Sequence, residues 1–190
     1  MEIKWYGHSC FLITSGAGTR ILTDPPDPSV GYNIPVIEAD AVTSSHDHHD
    51  HANFALCAEG AARITQPGEY AVKEVRVKGV ETWHDEVRGA KRGRNIVFIF
   101  EIDGMRVVHA GDIGAMPEKD ALDAIGYADV LMVPVGGVYT VNASGARELA
   151  NALHPKVVIP MHYKTPALTM QLDGIGPFIS SVSGCTIHRL

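Results

Sequence analysis

Apolar and polar positions set out a strand-rich chain with a few helices between the strands. Ile3-Lys-Trp-Tyr and Cys10-Phe-Leu-Ile-Thr are β-rich runs, and Ser15-Gly-Ala-Gly supplies turn chemistry before a third strand at Arg20-Ile-Leu-Thr. A short apolar run from Asp40 reads as the next strand, and Ala52 to Ala58 as a helix start. Arg63 to Gln66 and the alternating Val72, Val75, Val77 and Val80 read as strands of a half-exposed sheet, closed by Thr82-Trp-His84-Asp85. Asn95–Ile102 and Met105–His109 form a hairpin about Asp103-Gly104. Pro117 to Ile125 reads as a short helix with proline near its start, and Asp129 to Val135 as a buried strand. Asn142 can cap a helix whose apolar face is Ala146, Leu149, Ala150 and Leu153. Lys156 to Pro160 is a further strand, and an edge strand is expected at Cys185 to His188.

The halves repeat weakly. Each runs hairpin, carboxylate (Asp24, Asp112), Ala-Asp strand (Ala39-Asp40, Ala128-Asp129), then a loop. This fits a pseudo-twofold sandwich of two face-to-face sheets with helices outside, both carboxylate loops meeting at one edge.

Composition narrows the class. At 190 residues the chain suits one domain over 1–190, and 45% hydrophobic with 20% charged residues is the balance of an ordinary globular protein. No apolar run is long enough to span a membrane and the N-terminus has no signal-peptide core, so no membrane partner is expected and the cytoplasm is the default location. Cys10, Cys57 and Cys185 are widely spaced and odd in number, which argues against a disulfide framework. A net charge of −6 argues against holding nucleic acid by bulk charge, without excluding a local basic surface.

The chemistry concentrates in Ser45-His46-Asp47-His48-His49-Asp50-His51, four imidazoles and two carboxylates on one strand-to-helix loop. Imidazole is the commonest metal ligand and carboxylate suits a hard or borderline cation. On extended backbone His46 and His48 point the same way, giving two ligands to one metal, while Asp50 and His51 lie beyond the turn and can face a second. The hexad H-x-H-x-D-H resembles the signature of the metallo-β-lactamase superfamily. Gly7-His8-Ser9, Arg94-Asn95, Gly111-Asp112, Pro134-Val-Gly-Gly and Pro160-Met-His-Tyr resemble its small branch that includes ascorbate-6-phosphate lactonase-like proteins. The resemblance implies an α/β fold, a four-layer αββα sandwich with two mixed sheets and helices outside. It implies that His46, His48 and His84 hold one metal, that Asp50, His51 and His162 hold a second, and that Asp112 bridges. Asp24, at a strand end, either caps a turn or, as the family implies, braces the histidine loop from behind.

Two divalent ions are the expected cofactors, zinc first, with manganese or iron also suited to these donors. The expected function is hydrolysis of a small ester, lactone or phosphorylated metabolite by metal-activated water, with Asp50 as catalytic proton shuttle. The expected partner is a small-molecule substrate, anionic if the basic loop Arg88-Gly-Ala-Lys91-Arg92-Gly-Arg94 takes part; a solvated hairpin tip is the plainer reading of that loop. His8, Arg94, Asn95, Tyr139, Tyr163 and Lys164 are candidate substrate contacts. A phosphodiesterase or nuclease on a minimal scaffold and a non-catalytic metal-binding or regulatory protein are the alternatives.

Overall fold

The computed structural model describes residues 1–188. Two sheets face each other. The first is ordered β1 (Glu2–Gly7), β2 (Cys10–Thr14), β3 (Arg20–Thr23), β4 (Ala41–Thr43), β5 (Ala62–Ile64). The second is ordered β11 (Val157–Met161), β10 (Val130–Pro134), β9 (Met105–His109), β8 (Arg94–Ile102), β7 (Val75–Trp83), β6 (Gly68–Val72). Both are mixed. Pairing from β1 to β5 runs antiparallel, antiparallel, parallel, parallel, and from β7 to β11 it does the same.

The repeat extends to single hydrogen bonds. Asp40 accepts from the Arg20 amide at 2.9 Å and returns its own amide to the Arg20 carbonyl at 2.8 Å. Asp129 does likewise with Arg106, at 2.9 and 2.8 Å. Each aspartate also pairs with a lysine at 2.8 Å, Lys73 and Lys156 respectively. In each half the aspartate ties the first parallel strand, β4 or β10, to the hairpin before it, so the loops that follow leave from one edge of the sandwich.

Period-two alternation sorts the side chains. Phe11, Ile13 and Ile21 from one sheet meet Ile96, Phe98, Phe100 and Met132 from the other, all essentially inaccessible to solvent. The opposite face of the second sheet, with Val97, Ile99, Leu131 and Val133, lies under α1 (Lys119–Ile125), α2 (Ala143–Leu153) and α3 (Gly176–Ser181). Asn142 caps α2, its side chain accepting from the Ser144 and Gly145 amides. The outer face of the first sheet is covered by loops that carry two 3-10 turns, Pro28–Val30 and Phe54–Leu56.

Two local expectations are corrected. Ala52 to Ala58 does not start an α-helix: Asn53 donates to the Pro25 carbonyl, and Ala58 to Ile37, which draws the chain out after a single 3-10 turn. Cys185 to His188 is exposed irregular chain and not a strand, because β11 already forms that edge of the second sheet and the tail docks through α3 on α2. Among the described residues, no helix is long and apolar enough to cross a membrane.

Candidate metal centre

The end of β4 delivers Ser44 to His51, β7 delivers His84, β9 leads to Asp112, and β11 delivers His162, all to one edge. The close approaches require glycine, at Gly111 and Gly136 among others. At Gly111 (φ +56°) a Cβ would lie 2.3 Å from Asn95 Oδ1 and 2.5 Å from Ser45 Cβ, and at Gly136 it would lie 2.2 Å from the His162 carbonyl oxygen. Asp24, His8 and His162 all hold positive φ (42°, 52° and 51°), which costs non-glycine residues energy and places strain at this edge.

The seven side chains gather into two adjoining groups. His46, His48 and His84 form one, with ring centroids 4.4 to 5.1 Å apart. Asp50, His51 and His162 form the other together with His8. Asp112 lies between the groups: its Oδ2 is 3.2 Å from His51 Nε2, 3.0 Å from His162 Nε2 and 3.5 Å from His84 Nε2. Asp50 Oδ2 is 3.3 Å from His51 Nε2 and 3.8 Å from His162 Nε2. His46 Nε2, His51 Nε2, His162 Nε2 and Asp112 Oδ1 are buried and make no aligned hydrogen bond. Leaving such atoms unpaired is costly, and converging nitrogen and carboxylate donors are the set a borderline divalent cation takes. The residues fit two such ions.

Behind them lies a hydrogen-bonded frame. Buried Asp24 accepts from the Ser45 amide at 2.8 Å, the Ser45 hydroxyl at 2.5 Å and His51 Nδ1 at 2.8 Å. That last bond favours a proton on Nδ1, so Nε2 is the nitrogen His51 would offer to a metal. Asn95 donates to Thr82 Oγ1 (2.8 Å) and the Ala110 carbonyl (2.9 Å), and its Oδ1 accepts from the Asp112 amide at 2.8 Å. His109 is core, bonded to the Ser9 carbonyl and the Gly111 amide. Asp85, next to His84, accepts from the Val87, Gly89, Lys91 and Arg92 amides at 2.7 to 2.9 Å. Burial raises the Asp85 pKa, but these four bonds outweigh it and bring it to about 2.

Without metal, the pocket's electrostatics split. Burial lowers the His46 pKa to about 3, helped by neighbouring His51, and lowers His84, so both rings are neutral. Burial and nearby His162 bring His8 to about 4. Burial opposes charge on His162 too, yet Asp112 and Asp50 outweigh it and raise the ring to about 9; His51 rises well above its ordinary value for the same reason. Burial pushes Asp50 and Asp112 up, but His51 and His162 prevail and hold both far below the usual carboxylate range.

The expected substrate contacts fare differently. His8 is fully buried within the cluster, its Nε2 3.0 Å from Asp50 Oδ2. Asn95 is also fully buried, and its amide is committed to the frame, so it cannot reach a substrate. Arg94 points outward to Gln66 (2.7 Å) and Glu81 (3.9 Å), opposite in direction to Asn95 along β8. Lys164 Nζ ties its own loop through the Leu168 and Met170 carbonyls. Tyr163 is half-buried against Trp5, with centroids 5.8 Å apart. Tyr139 is exposed on the loop after β10. The backbone of the basic loop turns inward to Asp85, so its amides are not free for an anion. Ser45, Asn95 and Asp85 are bracing groups that the sequence does not single out; Ser45 and Asp85 at least flank His46 and His84, whereas Asn95 flanks none of the ligand candidates.

Two mixed sheets with a histidine and aspartate cluster at their common edge define the metallo-β-lactamase class of fold. The chain belongs to the beta-lactamase superfamily, whose domain matches residues 2–162. A Thermoplasma acidophilum relative, UPF0173 metal-dependent hydrolase Ta0764, is 28% identical over 87% of this chain and 84% of its own. A Thermotoga maritima crystal structure, described as a candidate zinc-dependent hydrolase of the metallo-β-lactamase superfamily, is 40% identical, with a TM-score of 0.76 over 96% of this chain and 86% of that one. An isothiocyanate hydrolase from Delia radicum gut bacteria shares the fold at a TM-score of 0.73 over 95% and 90% of the two chains, with 14% identity.

Proposed function

We propose that this protein is a dinuclear metal-dependent hydrolase of a small ester or lactone. The observation that carries the reading is the convergence of the buried ring nitrogens of His46, His51 and His162 with the carboxylates of Asp50 and Asp112 at one point, His46 Nε2 having no partner at all. His46, His48 and His84 would hold one ion, Asp50, His51 and His162 the other, with Asp112 shared. Bound there, divalent ions supply Lewis acidity and lower the pKa of water toward neutrality, zinc being favoured by the histidine-rich donors and by the description of the Thermotoga maritima protein.

The chain's own groups supply the rest. Asp24 and Ser45 fix the rings, Asn95 fixes the backbone that carries Asp112, and Asp50 holds or passes a proton through its carboxylate. The strings that resemble the ascorbate-6-phosphate lactonase-like branch favour a lactone or ester. The naming of Ta0764 as a metal-dependent hydrolase supports the reaction class. The nuclease alternative is disfavoured, because Arg88, Lys91 and Arg94 are paired with Glu118, Glu86 and Glu81 and do not form a free basic track. The cysteines are free, which fits a reducing, cytoplasmic setting.

The test is metal analysis followed by a panel of lactones, esters and phosphodiesters. The proposal expects about two ions per chain, activity abolished by chelation and restored by zinc or manganese, and at least a ~100-fold loss in Asp50→Asn, as for removal of a general acid–base group. Turnover that survives chelation and the substitution would overturn it.

A further inference from the structure

Within the basic loop, Arg92 differs from its neighbours. Arg88 pairs with Glu118 at 2.8 Å, Lys91 with Glu86, and Arg94 with Gln66 and Glu81. Among the described residues, Arg92 has no carboxylate partner. Its guanidinium lies 5.6 Å from the centroid of the Tyr139 ring and reaches only the Val138 carbonyl, at 3.5 Å. It therefore spans two loops that both leave the metal edge, one following His84 and one following β10, where Gly136 lies against the His162 carbonyl.

Both loops hold their shape. Asp85 grips the Arg92 amide at 2.7 Å, and the Gly93 carbonyl accepts from the His84 amide at 3.1 Å, so the root of Arg92 is fixed to the backbone of a candidate ligand. Val138 has φ +58°, a genuine outlier for a β-branched residue, and leaves its side chain 58% exposed beside Tyr139 at 38%. Exposed Val138 and Tyr139 thus stand beside a cation that has no carboxylate partner among the described residues. Strain that leaves an apolar side chain in water has no packing reason, and such strain gathers at ligand-handling sites.

We propose that Arg92, held over the Tyr139 ring, is the specificity determinant for an anionic substituent, carboxylate or phosphate, on the substrate, with Val138 facing its apolar body. This deepens the hydrolase reading and rests on it for the word substrate. A planar guanidinium presents paired donors to either anion, and its attraction to the face of the ring biases where it rests.

The test uses zinc-loaded protein, wild type, Arg92→Gln and Arg92→Lys, and two readouts. The first is hydrolysis of matched nitrophenyl esters, neutral acetate and anionic glutarate. Arg92→Gln is expected to lower kcat/KM for the glutarate ester by about tenfold or more, the loss of a charge-assisted hydrogen bond, with the acetate ester changed less than about twofold. Arg92→Lys should recover part of the difference. The second is calorimetric binding of glutarate, acetate and inorganic phosphate, which needs no turnover. Glutarate, with a second carboxylate to reach the rim, should weaken about tenfold in Arg92→Gln while acetate does not; phosphate weakened to the same degree assigns phosphate to the rim as well. Equal effects on charged and neutral probes, in a variant whose melting temperature is unchanged, would overturn the assignment. If neither these esters nor the lactone and phosphodiester panel is cleaved by wild type but glutarate discrimination persists, the hydrolase reading fails and the anion subsite stands.

Discussion

Replacing Asp24 with asparagine isolates the frame behind the cluster. The shape is kept, and asparagine tolerates the positive φ of 42° at this position, so backbone strain is not added. What changes is one acceptor oxygen. The amide oxygen can retain the Ser45 amide bond, but the new NH2 then faces His51 Nδ1, 2.8 Å away in the wild type. To accept from it, His51 must give up the Nδ1 proton and carry one on Nε2, the nitrogen that lies 3.2 Å from Asp112 and 3.3 Å from Asp50. A protonated Nε2 cannot ligate. Hydrogen bonds to charged groups contribute about 1.5–3 kcal/mol, and groups behind metal ligands typically change metal affinity by about 10- to 100-fold. The expected result is loss of one of two zinc ions on dialysis against a competing chelator, with that site weakened by about 10- to 100-fold and the His46–His48–His84 site retained. Competition titration with a chromophoric chelator measures it. Two zinc ions held as tightly as in wild type would refute the tautomer argument.

Other outcomes follow from packing and charge. Phe98→Ala empties a fully buried position between the sheets and should cost about 3–5 kcal/mol in urea unfolding; a loss under 1 kcal/mol would contradict the inter-sheet core. Gly136→Ala drives a Cβ against the His162 carbonyl, so zinc stoichiometry should fall toward one while far-ultraviolet dichroism is kept; unchanged stoichiometry would count against the crowding. His162 is raised from 6.5 to about 9, so its protonated form stabilises the metal-free fold fully below pH 6.5 and that contribution is lost as pH rises through about 9. With chelator present, the melting temperature should therefore fall between those values, and a flat or rising profile would contradict the Asp112–His162 contact.

What could be read from the sequence was what is encoded locally. Alternation in Ile96 to Ile102 announces a strand with two buried faces, and Asp103-Gly104 announces its turn. The repeat of Ala39-Asp40 as Ala128-Asp129 announced two equivalent halves, because each aspartate makes the same pair of backbone bonds. The histidine loop was legible because its donors lie within six residues. Asn95 was placed with the wrong group because its partners, Thr82, Ala110 and Asp112, are strangers in sequence that only the sheet brings together. Asp85 sits at a strand end in the sequence, and only the fold shows that it gathers four backbone amides of the basic loop, something no spacing rule conveys. Residues 52–58 lack strong breakers, and only pairing with Ile37 draws them out of a helix.

Anomalous diffraction from crystals grown with zinc tests the centre most directly. The account predicts two strong peaks per chain, one bounded by His46, His48 and His84 and one by Asp50, His51 and His162, with an Asp112 oxygen between them. A single peak elsewhere on the surface, with the imidazoles at 84 and 162 bonded only to protein, would contradict it.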